Sequence, residues 1–276
     1  MAFLNGTNIE LIHPEIPRGR IRQALFDFDG TLSLIREGWQ DVMVPMMVEI
    51  LAQTPQAESE ADLQRVVTRF VERLTGEQTI YQMIQLAEEV ARRGGRPADP
   101  FEYKRQYHDR LWTRIRGRVA ALKSGQAAPG AMMVPGARAF LEALRARGVT
   151  CYLASGTDEP YVRDEAAALE IAGYFAGIHG ARDDYLRATK KALMEQIVRD
   201  HDLTGAELVV FGDGYVEIEN AKSLGGLAVG VASNEVERRG VNARKRERLI
   251  QAGADLIVPD FRKHERLIAY LFADAP

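Results

Sequence analysis

Five short segments of the chain are apolar without clean alternation and are bounded by turn residues: Arg22–Phe28, Val149–Ala154, Leu208–Phe211, Leu227–Val231 and Asp255–Val258. Strands buried on both faces of a parallel sheet read this way, because neither face needs polar residues. Between these segments the period changes. Ala137, Phe140, Leu141 and Leu144 recur at i, i+3, i+4 and i+7 and stop at Gly148, and an amphipathic run from Lys191 to Val198 precedes Leu208. Those spacings predict helices. Strands alternating with helices imply βαβ units, so the fold class expected is α/β. The sheet should be open, parallel, doubly wound and Rossmann-like, with its site at the carboxyl ends of the strands.

One stretch breaks the rhythm. From Leu34 to Met133 the pattern is helical and no convincing strand occurs, which predicts an all-helical domain (34–133) inserted into a core made of residues 1–33 and 134–276. Pro45 is expected to cut its first helix, Gly94-Gly95-Arg96-Pro97 to mark an internal turn, and Ser124 to Gly130 to lead back to the sheet. Met43, Met46 and Met47 fit the apolar core of a helix better than an adaptable groove. Thr75-Gly76-Glu77-Gln78-Thr79 is polar and lies between two apolar helical stretches. It reads either as a helix–helix turn with Thr79 as N-cap, or as a lid that brings Glu77 or Gln78 over the site.

Composition narrows the partners. The chain has 276 residues, 46% hydrophobic and 27% charged, with a net charge of −3. This excludes disorder throughout and leaves no electrostatic footprint for nucleic acid or an anionic membrane. The inserted stretch carries 14 basic and 13 acidic residues, so it is no cationic lid. The longest apolar stretch, Val42 to Ala52, is broken by Pro45 and Glu49 and falls short of the ~20 residues a bilayer requires. The N-terminus lacks a basic segment followed by an apolar core, so no secretory signal is expected. A single Cys151 in an apolar run suits a reducing compartment. The reading is a cytoplasmic monomer or homodimer whose partners are small molecules.

Two segments carry chemistry. In FDFDGT, Phe26 to Thr31, Asp27 and Asp29 stand two apart where an apolar strand ends in a Gly-containing turn. Extended backbone would aim both carboxylates to one face, where they repel unless a cation or proton separates them. One carboxylate could serve as nucleophile and the other as general acid and then base; a solvated turn is the plain alternative. In VVFGDGYVEIENA, Val209 to Ala221, Asp213 and Glu217 lie on one side of a turn as a helix begins. Hard oxygen ligands at a strand end suit Mg²⁺, although acids also favour a helix N-terminus for its dipole.

With these segments the sequence resembles the haloacid dehalogenase superfamily, in particular its Mg²⁺-dependent phosphatase branch with a helical cap between the first two motifs. FDFDGT resembles motif one, CYLASGT supplies Ser155 for motif two, Lys190-Lys191 offers the motif-three lysine, and GDGYVE resembles motif four. The likeness spans about residues 20 to 272. It implies that Asp27 attacks phosphorus and that Asp29 protonates the leaving oxygen and then activates water. It further implies Mg²⁺ held by the Asp27 carboxylate, the Asp29 carbonyl and Asp213, with Glu217 binding directly or through water. Ser155 and the amides around Gly156, next to Thr157, would hold the phosphoryl oxygens. The family's spacing favours Lys190 over Lys191, and Glu217 stands where many relatives carry Asp.

The activity so implied is hydrolysis of a small phosphorylated metabolite, such as a sugar phosphate. The rivals are a phosphomutase of the same fold and a non-catalytic binding protein. A dehalogenase would lack Asp29. Arg36 and Trp39, soon after Asp29, supply a cation and an aromatic face for a sugar-like ligand, and Gln78 is a further candidate contact. His13, His108, His179, His201 and His264 lack ligand spacing. The basic run Arg238 to Arg248 reads as a solvated helix face or, less simply, as part of an active-site rim, with Asn234 and Glu235 nearer the strand end.

Overall fold

The computed structural model describes residues 2–187 and 189–274; Met1, Ala188, Ala275 and Pro276, which the expected core includes, lie outside the described residues. In chain order the strands are β1 (Ala2–Phe3), β2 (Glu10–Leu11), β3 (Gln23–Phe26), β4 (Thr150–Asp158), β5 (Phe175–Ala181), β6 (Leu208–Gly212), β7 (Leu227–Val231) and β8 (Leu256–Val258). The helices are α1 (Gln40–Ala52), α2 (Glu60–Arg73), α3 (Thr79–Arg92), α4 (Pro100–Lys123), α5 (Ala137–Ala146), α6 (Glu159–Ala168), α7 (Lys190–Asp200), α8 (Tyr215–Ser223), α9 (Ala243–Gln251) and α10 (His264–Leu271). All five apolar segments contain strands, and between β3 and β4 the four helices α1 to α4 form the insert, followed by α5. The α/β class and the helical insert are as the pattern predicts.

The sheet runs β1-β2-β8-β7-β6-β3-β4-β5. Strands β8 through β5 are mutually parallel, and β1 and β2 add an antiparallel ribbon at the β8 edge. From β3 the chain builds β4 and β5 on one side and β6, β7 and β8 on the other, so the winding reverses at β3. A crevice opens at such a switch point. Register makes the strand ends level: Phe26 pairs with both Leu153 and Phe211, and the Asp27 amide donates to the Phe211 carbonyl at 2.9 Å.

The alternation along β3 sends Ala24 and Phe26 into one apolar layer and Leu25 into the other. Phe26 stacks on Phe211 at 4.7 Å and Phe140 on Phe261 at 4.8 Å, and Phe140 meets Phe211 edge-on at 5.1 Å. All four rings are fully buried, each stabilising by about 1.5–3 kcal/mol. Because Phe26 precedes Asp27 and Phe211 lies two before Asp213, the backbone that carries the acids rests on dense packing.

Two local expectations are corrected within the insert. Pro45 does not cut the first helix, since α1 continues through it. One missing N–H costs a single backbone bond, and Met43, Met46, Met47 and Leu51, all buried, hold both halves against the core. Thr79 is not an N-cap: it is the first residue of α3, and Gln78 occupies the cap position without a side-chain cap bond. Elsewhere the signals are ordinary. Asp99 Oδ1 accepts from the Phe101 amide at 2.7 Å ahead of Pro100, and α3 ends at Arg92 before the Gly94-Gly95 turn. Among the described residues no helix is long and apolar enough to cross a membrane.

Candidate active site

The turn after β3 is set by Gly30, whose φ of +78° and contact with Asp213 exclude a side chain: a Cβ there would collide with the Asp213 carboxylate. The close approach brings the β3 and β6 loops together, with Asp27, Asp29 and Asp213 around one chamber. Thr189 starts α7 by accepting from the Ala192 amide at 3.1 Å, which sets Lys190 on the first turn. Lys190 Nζ lies 2.6 Å from Asp27 Oδ1 and also pairs with Glu217 Oε1. A cation at a helix N-terminus opposes the dipole; these two carboxylates offset that cost. Burial works against the Lys190 ammonium, but Asp27 and Glu217 outweigh it and hold its pKa above the usual lysine range. Lys191 has no such partner and is exposed.

Burial pushes the Asp27 carboxyl well above the ordinary aspartate range, against the pull of Lys190. Burial likewise raises Asp29 to about 7, opposed by Arg36 and by the Thr157 hydroxyl. Thr157 Oγ1 donates to Asp29 Oδ2 at 2.9 Å, and Ser155 Oγ accepts from the Thr157 amide at 3.1 Å, so the β4 loop fixes the second aspartate. Arg36 is clamped by Glu165 of α6, with Nε at 3.1 Å and Nη2 at 2.6 Å, and its Nε stands 3.9 Å from Asp29 Oδ1. Sequence reasoning did not single out Glu165, which is only 2% exposed. An acid amid the alanines of α6 carries no local signal.

The 75–79 loop closes over this floor. A Cβ on Gly156 would lie 2.6 Å from the Glu77 carbonyl, and one on Gly76 would lie 3.2 Å from Gly214 Cα. Loop and core therefore meet backbone to backbone, a contact only glycine permits. The chamber beneath is about 90 Å³ and is lined on the helical side by Arg36, Trp39, Thr75, Glu77, Gln82 and Tyr107. Ser155, Gly156, Thr157 and Lys190 line it from the core. Gln78 lies outside this lining: its amide donates to the Tyr185 carbonyl at 3.2 Å. Gln82, one turn along α3 and buried, reaches the chamber instead. The signal for Gln82 and Tyr107 was polarity within a buried helical stripe, here beside Met83 and Leu86 and between Tyr103 and Leu111.

The basic run is divided by its helix. Arg244 is exposed, whereas Lys245 points inward, 2.6 Å from Asp213 Oδ2, and Arg248, three residues on, donates to the Asp213 carbonyl at 3.0 Å. Part of the run is thus active-site rim, and helical phase decides which part.

A hard divalent cation suits these donors. Among the described residues no three His, Cys, Asp or Glu side chains are gathered as a closed metal centre, because lysines stand between the acids. Yet Asp29 Oδ1 and Glu217 Oε2 are buried without hydrogen bonds, and burial raises both aspartates of the first motif. Such a surplus of desolvated acid oxygen is the environment a small oxygen-loving cation relieves.

The sequence profile of haloacid dehalogenase-like hydrolases matches residues 21–225. No curated protein matches by sequence. Among solved structures, the chain is similar to a protein described as a predicted phosphoglycolate phosphatase from Haemophilus somnus 129pt, with 18% identity and a TM-score of 0.59 over 90% of this chain and 98% of the other. It is similar to a haloacid dehalogenase-like family hydrolase from Streptococcus pneumoniae, with 17% identity and a TM-score of 0.57 over 91% and 98%. A β-phosphoglucomutase from Clostridium difficile aligns with 12% identity and a TM-score of 0.56 over 84% and 98%. These likenesses concern the fold.

Proposed function

The chain belongs to the haloacid dehalogenase-like hydrolases, and from that premise we propose that it is a phosphomonoester hydrolase acting on a small phosphorylated metabolite through an aspartyl-phosphate on Asp27. The observation that carries this reading is the convergence of Asp27, Asp29, Ser155, Lys190 and Asp213 on one chamber. Asp27 attacks phosphorus as the ester P–O bond breaks, and Asp29, whose raised pKa keeps a proton available near neutrality, protonates the departing oxygen. Asp29 then takes a proton from water, whose oxygen attacks phosphorus; the bond to Asp27 breaks and phosphate leaves. Lys190 offsets charge on Asp27 and the phosphoryl group, and Ser155 with the Gly156 amide positions the phosphoryl oxygens. Mg²⁺ bound by the Asp27 carboxylate, the Asp29 carbonyl and Asp213, with Glu217 direct or through water, would supply charge neutralisation to those oxygens.

The substrate side supports a small polar ligand. Arg36 spends Nε and Nη2 on Glu165, which leaves Nη1 to meet a substrate oxygen, while Trp39 and Tyr107 offer aromatic faces and Gln82 an amide. The 75–79 loop seats on Gly156 and Gly214 over this chamber, so its lifting would widen the way in for a substrate. The test is phosphate release from a panel of phosphorylated metabolites with and without EDTA. Mg²⁺-dependent release from at least one is expected. No release from any ester, or release that survives chelation, overturns the reading; isomerised product without phosphate shifts it to a phosphomutase.

A further inference from the structure

Lys245 is a buried cation at this site that the first motif does not explain. Asn242 caps α9 by accepting from the Lys245 amide at 3.1 Å, and with Leu249 buried one turn later the helix turns the Lys245 side chain inward. Its ammonium has three donors and three acceptors: Asp213 Oδ2 at 2.6 Å, Glu235 Oε1 at 2.6 Å and Ser233 Oγ at 3.3 Å. Ser233 in turn donates to the Gly30 carbonyl at 2.6 Å, tying the cluster to the turn that carries Asp29. Lys190 takes the Asp27 and Glu217 side of the chamber, whereas Lys245 takes Asp213. The two lysines therefore act on different acids.

We propose that Lys245 sets how tightly this site holds a divalent cation, by sharing the Asp213 carboxylate with that cation and keeping Glu235 and Ser233 as its remaining anchors. The inference rests on the reading of Asp213 as a cation ligand. A cation drawn to Asp213 meets an ammonium already on one of its oxygens. Coulomb repulsion between the two positive charges lowers affinity, while the anchors at Glu235 and Ser233 let Lys245 stay charged and buried when Asp213 is shared. Lys245 is thus a positioning residue that keeps Asp213 aimed into the site and restrains the affinity of the ion it would hold.

The signs of two variants separate this role from plain structural support. Metal-free protein is titrated with Mn²⁺, free ion is read by electron paramagnetic resonance, and Mg²⁺ is added as competitor. Lys245→Met, which removes the competing charge, should bind Mn²⁺ roughly 10-fold tighter or more. Glu235→Gln, which removes one alternative anchor and concentrates Lys245 on Asp213, should bind it several-fold more weakly. A structural role would weaken both. Unchanged or weaker binding by folded Lys245→Met overturns the inference, as does unchanged or tighter binding by Glu235→Gln. If Lys245→Met does not fold by circular dichroism, Lys245→Gln, which removes the same charge and keeps a polar side chain, takes its place with the same expected and overturning outcomes. Wild-type protein that binds no Mn²⁺ overturns the cation-site reading itself, and the inference with it.

Discussion

The sheet side and the helical side of the chamber are built by different means. On the sheet side, Asp27 and Asp213 sit just beyond the ends of β3 and β6 and Ser155 lies in the last residues of β4, three neighbouring parallel strands whose register is fixed by backbone hydrogen bonds and by the stacked Phe26 and Phe211 rings beneath. On the helical side, Trp39, Glu77, Gln82 and Tyr107 come from two loops and two helices, and they reach the site because glycine backbones seat against the Glu77 and Gly76 segment. A sheet supplies fixed positions; a seated loop supplies positions that can be withdrawn. Under the proposed function, chemistry that must be precise falls on the first side and selection of the substrate on the second.

This contrast breaks most sharply at Asp27. Asp27→Asn keeps the volume and removes the proposed nucleophile, and turnover by the folded variant should fall by at least ~10⁴-fold; phosphate release near the wild-type rate would sink the covalent route. Asp29→Asn should lose roughly 10²- to 10⁴-fold, and it carries a pH signature. A carboxyl raised to about 7 in the fold, from 3.8, binds more proton folded than unfolded between those values, so its contribution to stability falls as pH rises through that window. In chelator-treated protein Asp29→Asn should thus gain about 2 kcal/mol over wild type at pH 8 and nothing near pH 4, about half of the full linkage value because the carboxylate is partly exposed. An Asp29→Asn advantage that does not grow with pH would show that Asp29 ionises freely.

A smaller loss is expected on the same side from Lys190→Ala, at least ~10²-fold in kcat, while Lys191→Ala should cost little. Equal sensitivity of the two lysines would mean that α7 does not hold the register set by its Thr189 cap. The helical side should yield the smallest effects. Gln82→Ala is expected to raise KM several-fold or reorder the substrate panel, with less change toward p-nitrophenyl phosphate. Gln78→Ala, whose amide serves Tyr185, should act mainly by loosening the loop. If Gln82→Ala lowers kcat as much as Lys190→Ala does, the division between fixed and withdrawable positions is wrong.

The sheet side was legible because its signals are local: an apolar run, an acid pair and a glycine fall within six residues at Phe26 to Thr31. The spacing within the resemblance that favoured Lys190 was also local. What escaped depends on distant packing. β5, an edge strand with half-exposed residues, carries neither the apolar run of a buried strand nor clean alternation, and β1 and β2 are two residues each, too short for any period to register. Pro45 misled because buried methionines outweigh one absent hydrogen bond. Glu165 was invisible for a related reason, an ordinary helical charge until the fold brings Arg36 to it, and Lys245 showed only as one of a basic run whose rim role no local signal assigned to a particular residue until the fold brought Asp213 to it.

The ribbon of β1 and β2 bears on self-association. A parallel sheet ending at β8 would present Leu256, Ile257 and Val258, an apolar strand with open backbone donors and acceptors, as a template for another chain. β2 covers it antiparallel, Glu10 opposite Ile257 and Leu11 opposite Leu256, and Glu10 is clasped by Arg246 at 2.7 Å. The new edge, β1, is only two residues long and offers too little length for a neighbour to pair with. Residues 2–11 thus act as a guard against edge-to-edge aggregation, and a chain cleaved after Leu11 should remain able to fold its sheet while losing its colloidal restraint as concentration rises.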